Sequence, residues 1–350
     1  MLKNDVSFQS SFKEKVLYMQ DCIGTLAPYP LHSRIHPLKT FGDSQTPCFV
    51  KREDELGFGI SGFKIRKYSS LIPHLLANKI TEAILIGGAY SNNIVGLTQL
   101  LIENSIQPML FLHGDTETKK IGNFLLSSLM VSNDSIHWIN RNEWPNVQEI
   151  AELYAKKQSK QTMIIQEGAS VAESLPGALT LALDILNNET QLGTTFDHIF
   201  IDSGTGMMAG ATVLAFAWLK KTTNIHVVLM AEDETEFLET LSNLKTQFES
   251  LIGAQLKLPY IKEKLKLYRP NTGRSFGSAN KTIFEEIRRI IRTEGFLTDP
   301  IYSVKLFLES RRIIAGENIK GNCLLIHSGG GLTLMGFQEQ LAQTLGGIDI

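Results

Sequence analysis

The sequence predicts an α/β protein with mostly parallel sheets. Short apolar runs alternate along the chain with longer stretches in which apolar residues recur about every 3.6 positions, as in helices that cover a sheet. Several apolar runs lack the alternation of a half-exposed strand, which is typical of strands buried on both faces. Three of the runs continue directly into glycine. Ligands bind beyond the carboxyl ends of strands in such sheets, so these glycines predict a ligand site.

The predicted strands are short and apolar, and most are followed by an amphipathic stretch. In chain order, the strands are expected at residues 83–86, 109–113, 136–139, 163–166, 198–202, 226–230 and 323–327. Helices are expected at residues 92–103, 147–158, 175–187, 208–220, 234–251 and 282–293.

Length and composition indicate an ordinary globular protein. At about 150 residues per domain, 350 residues favour two domains or one large α/β unit. No linker divides the chain, so a discontinuous layout is expected. Residues 1–68 and 171–350 would form a large domain, and residues 69–170 a smaller inserted one.

Charge and cysteine content exclude several classes of protein. The net charge of −2 gives no field that favours nucleic acid or an anionic membrane. Three widely spaced cysteines without a CxxC argue against a disulfide framework and against a metal site such as zinc. With no apolar signal segment and no run long enough to span a bilayer, a cytoplasmic location is expected.

The glycines after the strands favour a phosphorylated ligand. They lie in residues 87–93, 202–210 and 327–331. Glycine lets the backbone approach a ligand closely. The middle segment also leads into a helix, whose free N–H groups and dipole suit a phosphate. One such turn is common in structural loops, whereas three together indicate a shared site.

Lys64 is a second candidate. It follows a stretch that contains Gly57, Gly59 and Gly62 and is flanked by Phe63 and Ile65. A lysine removed from water has a lowered pKa and becomes nucleophilic towards a carbonyl. Composition alone would still favour an ordinary surface lysine.

Seven short motifs in a fixed order make the sequence recognisable. They are KRED at 51–54, GFKIRK at 62–67, GGAYSNN at 87–93, EGAS at 167–170, SGTGMMAG at 203–210, TDPIY at 298–302 and HSGG at 327–330. Their order and spacing, over about residues 45–337, resemble the 1-aminocyclopropane-1-carboxylate (ACC) deaminase and D-cysteine desulfhydrase family. These are pyridoxal phosphate (PLP) enzymes of fold type II, similar to the tryptophan synthase β-subunit.

The resemblance implies a fold, a cofactor and a partner. Two three-layer α/β/α domains would hold PLP between them, and a small amino acid would be the substrate of a homodimer. Lys64 corresponds to the lysine that carries PLP as a Schiff base, and Ser91 and Tyr302 to residues near the substrate. Asn92 corresponds to the residue that binds the pyridine hydroxyl. The phosphate loop corresponds to Ser203, Gly204, Thr205, Gly206, Met207 and Met208.

The chain departs from the family pattern at several of these positions. Phe63 replaces an asparagine, Asn93 replaces a histidine, and Phe276 stands where a second active-site tyrosine is usual. Met207 and Met208 replace polar loop residues. The lysine and the glycines remain, so PLP binding is expected, while the catalytic details are open to change.

Two serines favour the desulfhydrase branch. ACC deaminases resemble one another in having glutamate at the position of Ser303 and leucine at that of Ser328, whereas D-cysteine desulfhydrases have hydroxyl residues. An acid beside the pyridine nitrogen keeps it protonated and strengthens the electron sink that ring opening needs. Elimination of a good leaving group needs a weaker electron sink. The expected reaction is β-elimination from D-cysteine, giving pyruvate, ammonia and sulfide.

Three alternatives stay open. One is ACC deaminase itself, and another is a PLP-binding protein that has lost activity through its changes at positions 63, 93 and 276. The third is a nicotinamide-dependent dehydrogenase. Gly204, Gly206 and Gly210 follow a strand and Glu232 follows the next, which imitates a dinucleotide fingerprint but leaves the lysine segment unexplained.

Overall fold

Two mostly parallel sheets organise the chain in the computed structural model, which describes residues 10–257, 261 and 263–345. In the described part the larger sheet has the order β1-β2-β10-β7-β8-β9 and the smaller sheet β5-β4-β3-β6. The strands are β1 Ile35–Asp43, β2 Thr46–Lys51, β3 Glu82–Gly88, β4 Gln107–His113, β5 Ile136–Ile139, β6 Thr162–Ile165, β7 His198–Ser203, β8 Asn224–Leu229, β9 Leu265–Tyr268 and β10 Cys323–Ile326.

Every described strand pair is parallel except β1 with β2. The residues of β10 are all buried, which explains why this strand is apolar without alternation. The antiparallel edge strand β1 has exposed positions along its length. The predicted α/β class with mostly parallel sheets is therefore confirmed.

Helices cover both faces of each sheet. They are α1 Phe12–Ile23, α2 Lys64–Ala77, α3 Asn92–Glu103, α4 Gly122–Met130, α5 Val147–Lys157, α6 Leu175–Leu192, α7 Met207–Trp218, α8 Glu234–Ile252, α9 Lys281–Glu294, α10 Ser303–Gly316 and α11 Gln338–Leu345. One core of the larger sheet includes side chains of α1, α6, α7 and α8, and the other includes side chains of α9 and α10.

Helix α7 shows why one stretch of the chain is apolar all round. Its sequence, MMAGATVLAFAW, is buried at every residue, so no polar stripe is needed. It begins at Met207, one residue before the predicted start, because Gly206 is the N-cap. The helix follows β7 directly and thereby fixes the loop between them.

The smaller sheet is assembled in the same way. Side chains of α2 and α3 and Phe124 of α4 cover one face, and α5 contributes Ala151 to the other. Both sheets therefore have the three-layer arrangement expected from the family resemblance. The proposed division at residues 68/69 and 170/171 stays a prediction.

Among the described helices, none combines the length and the apolar character that a membrane crossing requires.

Candidate active site

A cleft of about 1220 Å³ lies where strands of both sheets end. Its lining comes from the start of α2, the β3–α3 turn, the segment after β6, the β7–α7 loop and the residues before α10. Parallel strands bring their carboxyl ends to one edge of a sheet, so distant parts of the sequence meet here. Among the predicted site residues, the lining includes Lys64, Ser91, Asn92, Tyr302, Ser203, Gly204, Thr205, Gly206, Met207 and Met208.

Lys64 is placed in the cleft by the turn before it. Gly62 has φ +53°, and a Cβ there would lie 2.9 Å from the Cα of Gly329. Phe63 donates its N–H to the carbonyl of Ser328 at 3.0 Å. The turn is therefore held against the segment after β10. Only glycine fits this close approach of two backbones.

The Lys64 amine lies between two aromatic rings. Its Nζ is 5.2 Å from the ring centre of Phe63 and 5.5 Å from that of Tyr302. Burial lowers the pKa of Lys64, and the nearby Asp202 and Asp299 carboxyls oppose this only in part. The uncharged amine is the nucleophilic and basic form, so the position suits covalent chemistry with a carbonyl.

Ser91 and Asn92 begin helix α3 with different roles. The Ser91 hydroxyl caps the helix, accepting from the N–H groups of Asn93 at 3.1 Å and Ile94 at 3.4 Å. The side-chain amide oxygen of Asn92, Oδ1, accepts from Asn123 Nδ2 at 2.8 Å and from Thr333 Oγ1 at 3.0 Å. Because its oxygen is occupied, Asn92 has its amide hydrogens left to donate to a ligand in the cleft.

The loop between β7 and α7 forms a cradle of backbone donors. Among the described residues, the N–H groups of Gly204, Thr205 and Gly206 donate to no protein acceptor. The Thr205 hydroxyl accepts from Ser170 at 2.9 Å, and Gly206 has φ +77° at the start of α7. Free N–H groups at a helix N-terminus are suited to a phosphate.

Met207 and Met208 are both core residues of the larger sheet, and they are only 3% and 4% exposed. Their replacement of polar family residues therefore leaves the backbone of the cradle unchanged.

Lys67, the last residue of the GFKIRK motif, is a second buried lysine of the cleft, and the sequence assigned it no anion-binding role. It lines the cleft one turn after Lys64, donates to the carbonyl of Gly168, and makes no ion pair among the described residues. Burial, together with the charge of Lys64, lowers its pKa well below the ordinary value. Its spacing from Lys64 was the signal that could have identified it. An anionic group in the cleft would restore its charge.

Two buried acids also line the cleft. Asp202 is the next-to-last residue of β7 and is 2% exposed, and burial raises its pKa to about 7. Glu232 accepts from the Ser203 hydroxyl beside the loop, and burial raises its pKa also to about 7. The sequence alone predicted no role for Asp202, because it does not distinguish a buried acid near a strand end from an exposed one.

Tyr302 closes the other side of the cleft. A Cβ on Gly204 would lie 3.1 Å from its ring, so the phenol packs directly against the loop. Burial raises the pKa of Tyr302, as do the nearby Asp299 and Asp202 carboxyls, and the phenol is therefore protonated at neutral pH. Phe276 lies at the rim, 59% exposed, with its ring 6.0 Å from that of Tyr302.

Ser303 and Ser328 lie behind the cleft wall and not in its lining. The Ser303 hydroxyl and N–H both donate to Asp299 Oδ1 at 2.7 Å. Ser328 is 4% exposed, and its hydroxyl lies beside the Asp202 carboxyl, where it lowers the pKa of that acid. Asn93, another departure from the family pattern, accepts from the hydroxyl of Tyr68 at 2.9 Å.

The cleft fits a phosphorylated pyridine cofactor. The backbone cradle and Lys67 suit the phosphate, Asn92 offers donors for a ring hydroxyl, and Lys64 provides an amine for an aldehyde. In addition, Oδ1 of Asp202 is a buried acceptor without a partner among the described residues.

Comparison with known proteins agrees with this fit. Residues 28–329 match the model of the family described as "Pyridoxal-phosphate dependent enzyme". A Pyrococcus furiosus protein named "Putative 1-aminocyclopropane-1-carboxylate deaminase" is 28% identical over 291 residues, which cover 81% of this chain and 84% of the relative. A Mesorhizobium japonicum protein named 1-aminocyclopropane-1-carboxylate deaminase is 25% identical, over 79% of this chain and 86% of the relative.

The fold has a close counterpart among solved structures. A structure described as an ACC deaminase homologue superposes with a TM-score of 0.80, at 21% identity, over 94% of this chain and 99% of the other. At this level of identity the likeness establishes the fold, and it confirms the predicted fold type II.

Proposed function

The chain belongs to the pyridoxal-phosphate-dependent enzyme family, and from this premise we propose that it is a lyase that eliminates the β-substituent of a small amino acid. D-cysteine is the proposed substrate, and with water it gives pyruvate, ammonia and sulfide. The observation that carries the proposal is the Lys64 amine, which is held in the cleft between two rings with a lowered pKa.

The chain's own groups would hold the cofactor at separate points. Lys64 would bind it covalently, the N–H groups of residues 204–206 and Lys67 would bind its phosphate, and Asn92 would donate to its ring hydroxyl. Bound PLP supplies an electron sink for negative charge at the substrate α-carbon. These assignments, and the roles of Ser91 and Tyr302 below, are proposals.

The remaining groups bind the substrate and move its α-proton. Lys64 would be released when the substrate amine displaces it from the cofactor. Its free Nζ, uncharged because its pKa is lowered, is the proposed base for that proton. Ser91 at the N-terminus of α3 would hold the substrate carboxylate, which the helix dipole favours. The protonated phenol of Tyr302 would donate a hydrogen bond from the opposite wall.

The leaving group decides between the two branches of the family. A thiol has a pKa of about 8.5, so thiolate departs near neutral pH without an acid to protonate it. The cyclopropane ring of ACC has no such leaving group, and its opening needs further acid or nucleophilic help. Phe276 supplies no hydroxyl at the rim, where the family usually has a tyrosine, so this position does not separate the two branches. The preference for elimination of thiolate rests on the leaving group.

ACC deamination is the second candidate, because the relatives from Pyrococcus furiosus and Mesorhizobium japonicum carry that name. An inactive PLP-binding protein is the third, motivated by the changes at Phe63, Asn93 and Phe276. The homodimer implied by the resemblance and the cytoplasmic location expected from the composition stay predictions.

Parallel turnover assays test the proposal. The PLP-loaded protein is given D-cysteine, L-cysteine, D-serine or ACC, and sulfide, ammonia and 2-oxo acids are measured, with the Lys64→Ala variant as the blank. We expect sulfide and pyruvate in equal amounts from D-cysteine. Ammonia from ACC without sulfide from D-cysteine would reverse the branch, and silence on all four would contradict the proposed reaction.

A further inference from the structure

The carboxyl of Asp202 is the unexplained group of the cleft. It is the next-to-last residue of β7, lines the cleft and is 2% exposed. Its Oδ1 has no hydrogen-bond partner among the described residues. A buried carboxyl oxygen without a partner is costly, and proteins retain one where a ligand completes it.

The surroundings of Asp202 suit a cationic ligand group. Strands β7 and β10 run side by side, with Leu325 opposite Phe200, so Asp202 and Ser328 follow at neighbouring strand ends. The Ser328 hydroxyl lies beside the carboxyl, and the charge of Lys64 acts on it from the cleft. Once Lys64 is bound covalently to a cofactor, Asp202 needs another positive group.

The connectivity of PLP indicates which group this is. The ring carries its hydroxyl, aldehyde and phosphate arm on three consecutive carbons, and the ring nitrogen lies opposite the aldehyde-bearing carbon. Asn92, Lys64 and the loop at residues 204–206 account for the three substituents. The nitrogen is the remaining polar atom of the ring. Three lining residues have a buried oxygen without a partner in the described part of the chain, and Asp202 is the acid among them, since Asn123 and Gln247 are neutral amides.

We propose that Asp202 is the carboxylate that pairs with the protonated ring nitrogen of bound PLP, with Ser328 supporting it from behind. The proposal rests on the use of PLP by this chain and deepens the proposed function, but it does not depend on which amino acid is the substrate.

The other two acids near the cleft, Asp299 and Glu232, already accept hydrogen bonds from the protein. Asp299 accepts from the N–H groups of Ile301, Tyr302 and Ser303 and from the Ser303 hydroxyl, and it thereby fixes the start of α10. Glu232 is bonded to Ser203 on the side of the phosphate cradle. Among these three acids, only Asp202 has a fully buried oxygen without a hydrogen-bond partner in the described residues.

The assignment changes what the two serines imply. A hydroxyl at positions 303 and 328 predicts a weakly held, nearly neutral ring nitrogen, whereas a carboxylate at position 202 keeps the nitrogen protonated and the electron sink strong. Ser303 does not line the cleft at all. The serine pair is therefore no measure of the strength of the sink in this chain.

Nitrogen NMR on the holoenzyme tests the pairing without substrate. The protein is reconstituted with PLP that carries ¹⁵N in the ring, and the resonance distinguishes protonated from neutral pyridine nitrogen. We expect the protonated position in the natural protein and in Asp202→Glu, and a shift towards the neutral position in Asp202→Asn. Loss of this charged hydrogen bond should also raise the Kd for PLP on the order of tenfold.

Two matched variants keep the test decisive. Glu232→Gln removes the other buried acid of the lining, and Ser328→Ala removes the supporting hydroxyl, so both should leave the nitrogen protonated. If Asp202→Asn fails to fold, a protonated nitrogen in both of these variants still supports Asp202. A neutral nitrogen in the natural protein, or a protonated one in Asp202→Asn, overturns the proposal, and neither outcome depends on any turnover assay.

Discussion

Two lysines one helical turn apart line the same cleft, and their surroundings assign them different tasks. Lys64 lies between the rings of Phe63 and Tyr302, and acids oppose its loss of charge. Lys67 donates to the carbonyl of Gly168 near the loop that begins α7. The sequence motif predicted Lys64 as the covalent site, while the proposed anion-binding role of Lys67 could be inferred only from its burial.

Replacement of each lysine should separate these tasks. We expect Lys64→Ala to lose the absorption band of covalently bound PLP and its fixation by borohydride, because the amine is gone. Lys67→Met should keep both, but with a Kd for PLP raised ten- to a hundredfold, on the order of one lost charged hydrogen bond. Absorption spectra and peptide mapping after borohydride reduction measure both results. Fixation of PLP in Lys64→Ala would contradict the assignment.

The β7–α7 loop shows how an element rather than a side chain makes a binding site. Gly206 has φ +77°, and a Cβ there would lie 2.5 Å from Cγ2 of Thr240. Alanine at this position would therefore both strain the backbone and displace the loop. Gly193 at the end of α6 also has a positive φ, +63°, but a Cβ there would have nothing within 4 Å.

This pair of glycines supplies a matched test of the phosphate cradle. We expect Gly206→Ala to raise the Kd for PLP on the order of tenfold, since the three free N–H groups no longer converge. Gly193→Ala should cost about 1 kcal/mol of stability and leave PLP binding unchanged. Titration of each variant with PLP measures the difference. Equal binding by both variants would show that the cradle does not hold the phosphate.

Elements with regular apolar spacing were predictable, and those stabilised by buried charge were not. The helix predicted at residues 92–103 coincides with α3, whose apolar residues recur at helical spacing and whose start is capped by Ser91. Helix α2 was missed since it begins Lys-Ile-Arg-Lys. There Arg66 is fully buried and pairs with Glu53 at 2.6 Å and Asp184 at 2.8 Å. Sequence patterns treat such charges as exposed, because only the tertiary structure brings their partners together.

The same limit applies to the candidate site. The ordered motifs predicted the residues that line the cleft at Lys64, Asn92 and the glycine loop, because these depend on local turns. They could not reveal that Ser303 is bonded to Asp299, or that Asp202 lacks a partner, since both facts depend on how separate strands meet.

At the scale of the whole molecule, the buried acids of the cleft couple stability to pH. Burial raises the pKa of Asp202 from 3.8, and that of Glu232 from 4.5, to about 7 in each case. Between about pH 4 and pH 7 the unfolded chain releases these protons while the folded chain keeps them. The folded state therefore loses stability as pH rises across this window, and the loss is complete above pH 7.

We accordingly expect the free energy of unfolding of the cofactor-free protein to fall less steeply between pH 5 and 7.5 when both acids are replaced. Asp202→Asn with Glu232→Gln should reduce the fall by 1 kcal/mol or more per group, as an order of magnitude, because one pKa unit corresponds to about 1.4 kcal/mol. Lys64 and Lys67 titrate in the opposite sense. Loss of the Asp202 charge lowers the pKa of Lys64 further, and this change also reduces the fall, so both effects have the same sign. Urea unfolding across the pH series measures this change in the fall of stability.

A control is Glu239→Gln, on the exposed side of α8, which should follow the natural protein. If the free energy of unfolding of the double variant changes with pH in parallel with that of the natural protein, these carboxyls are already ionised in the folded state. Water would then reach them more than their burial indicates.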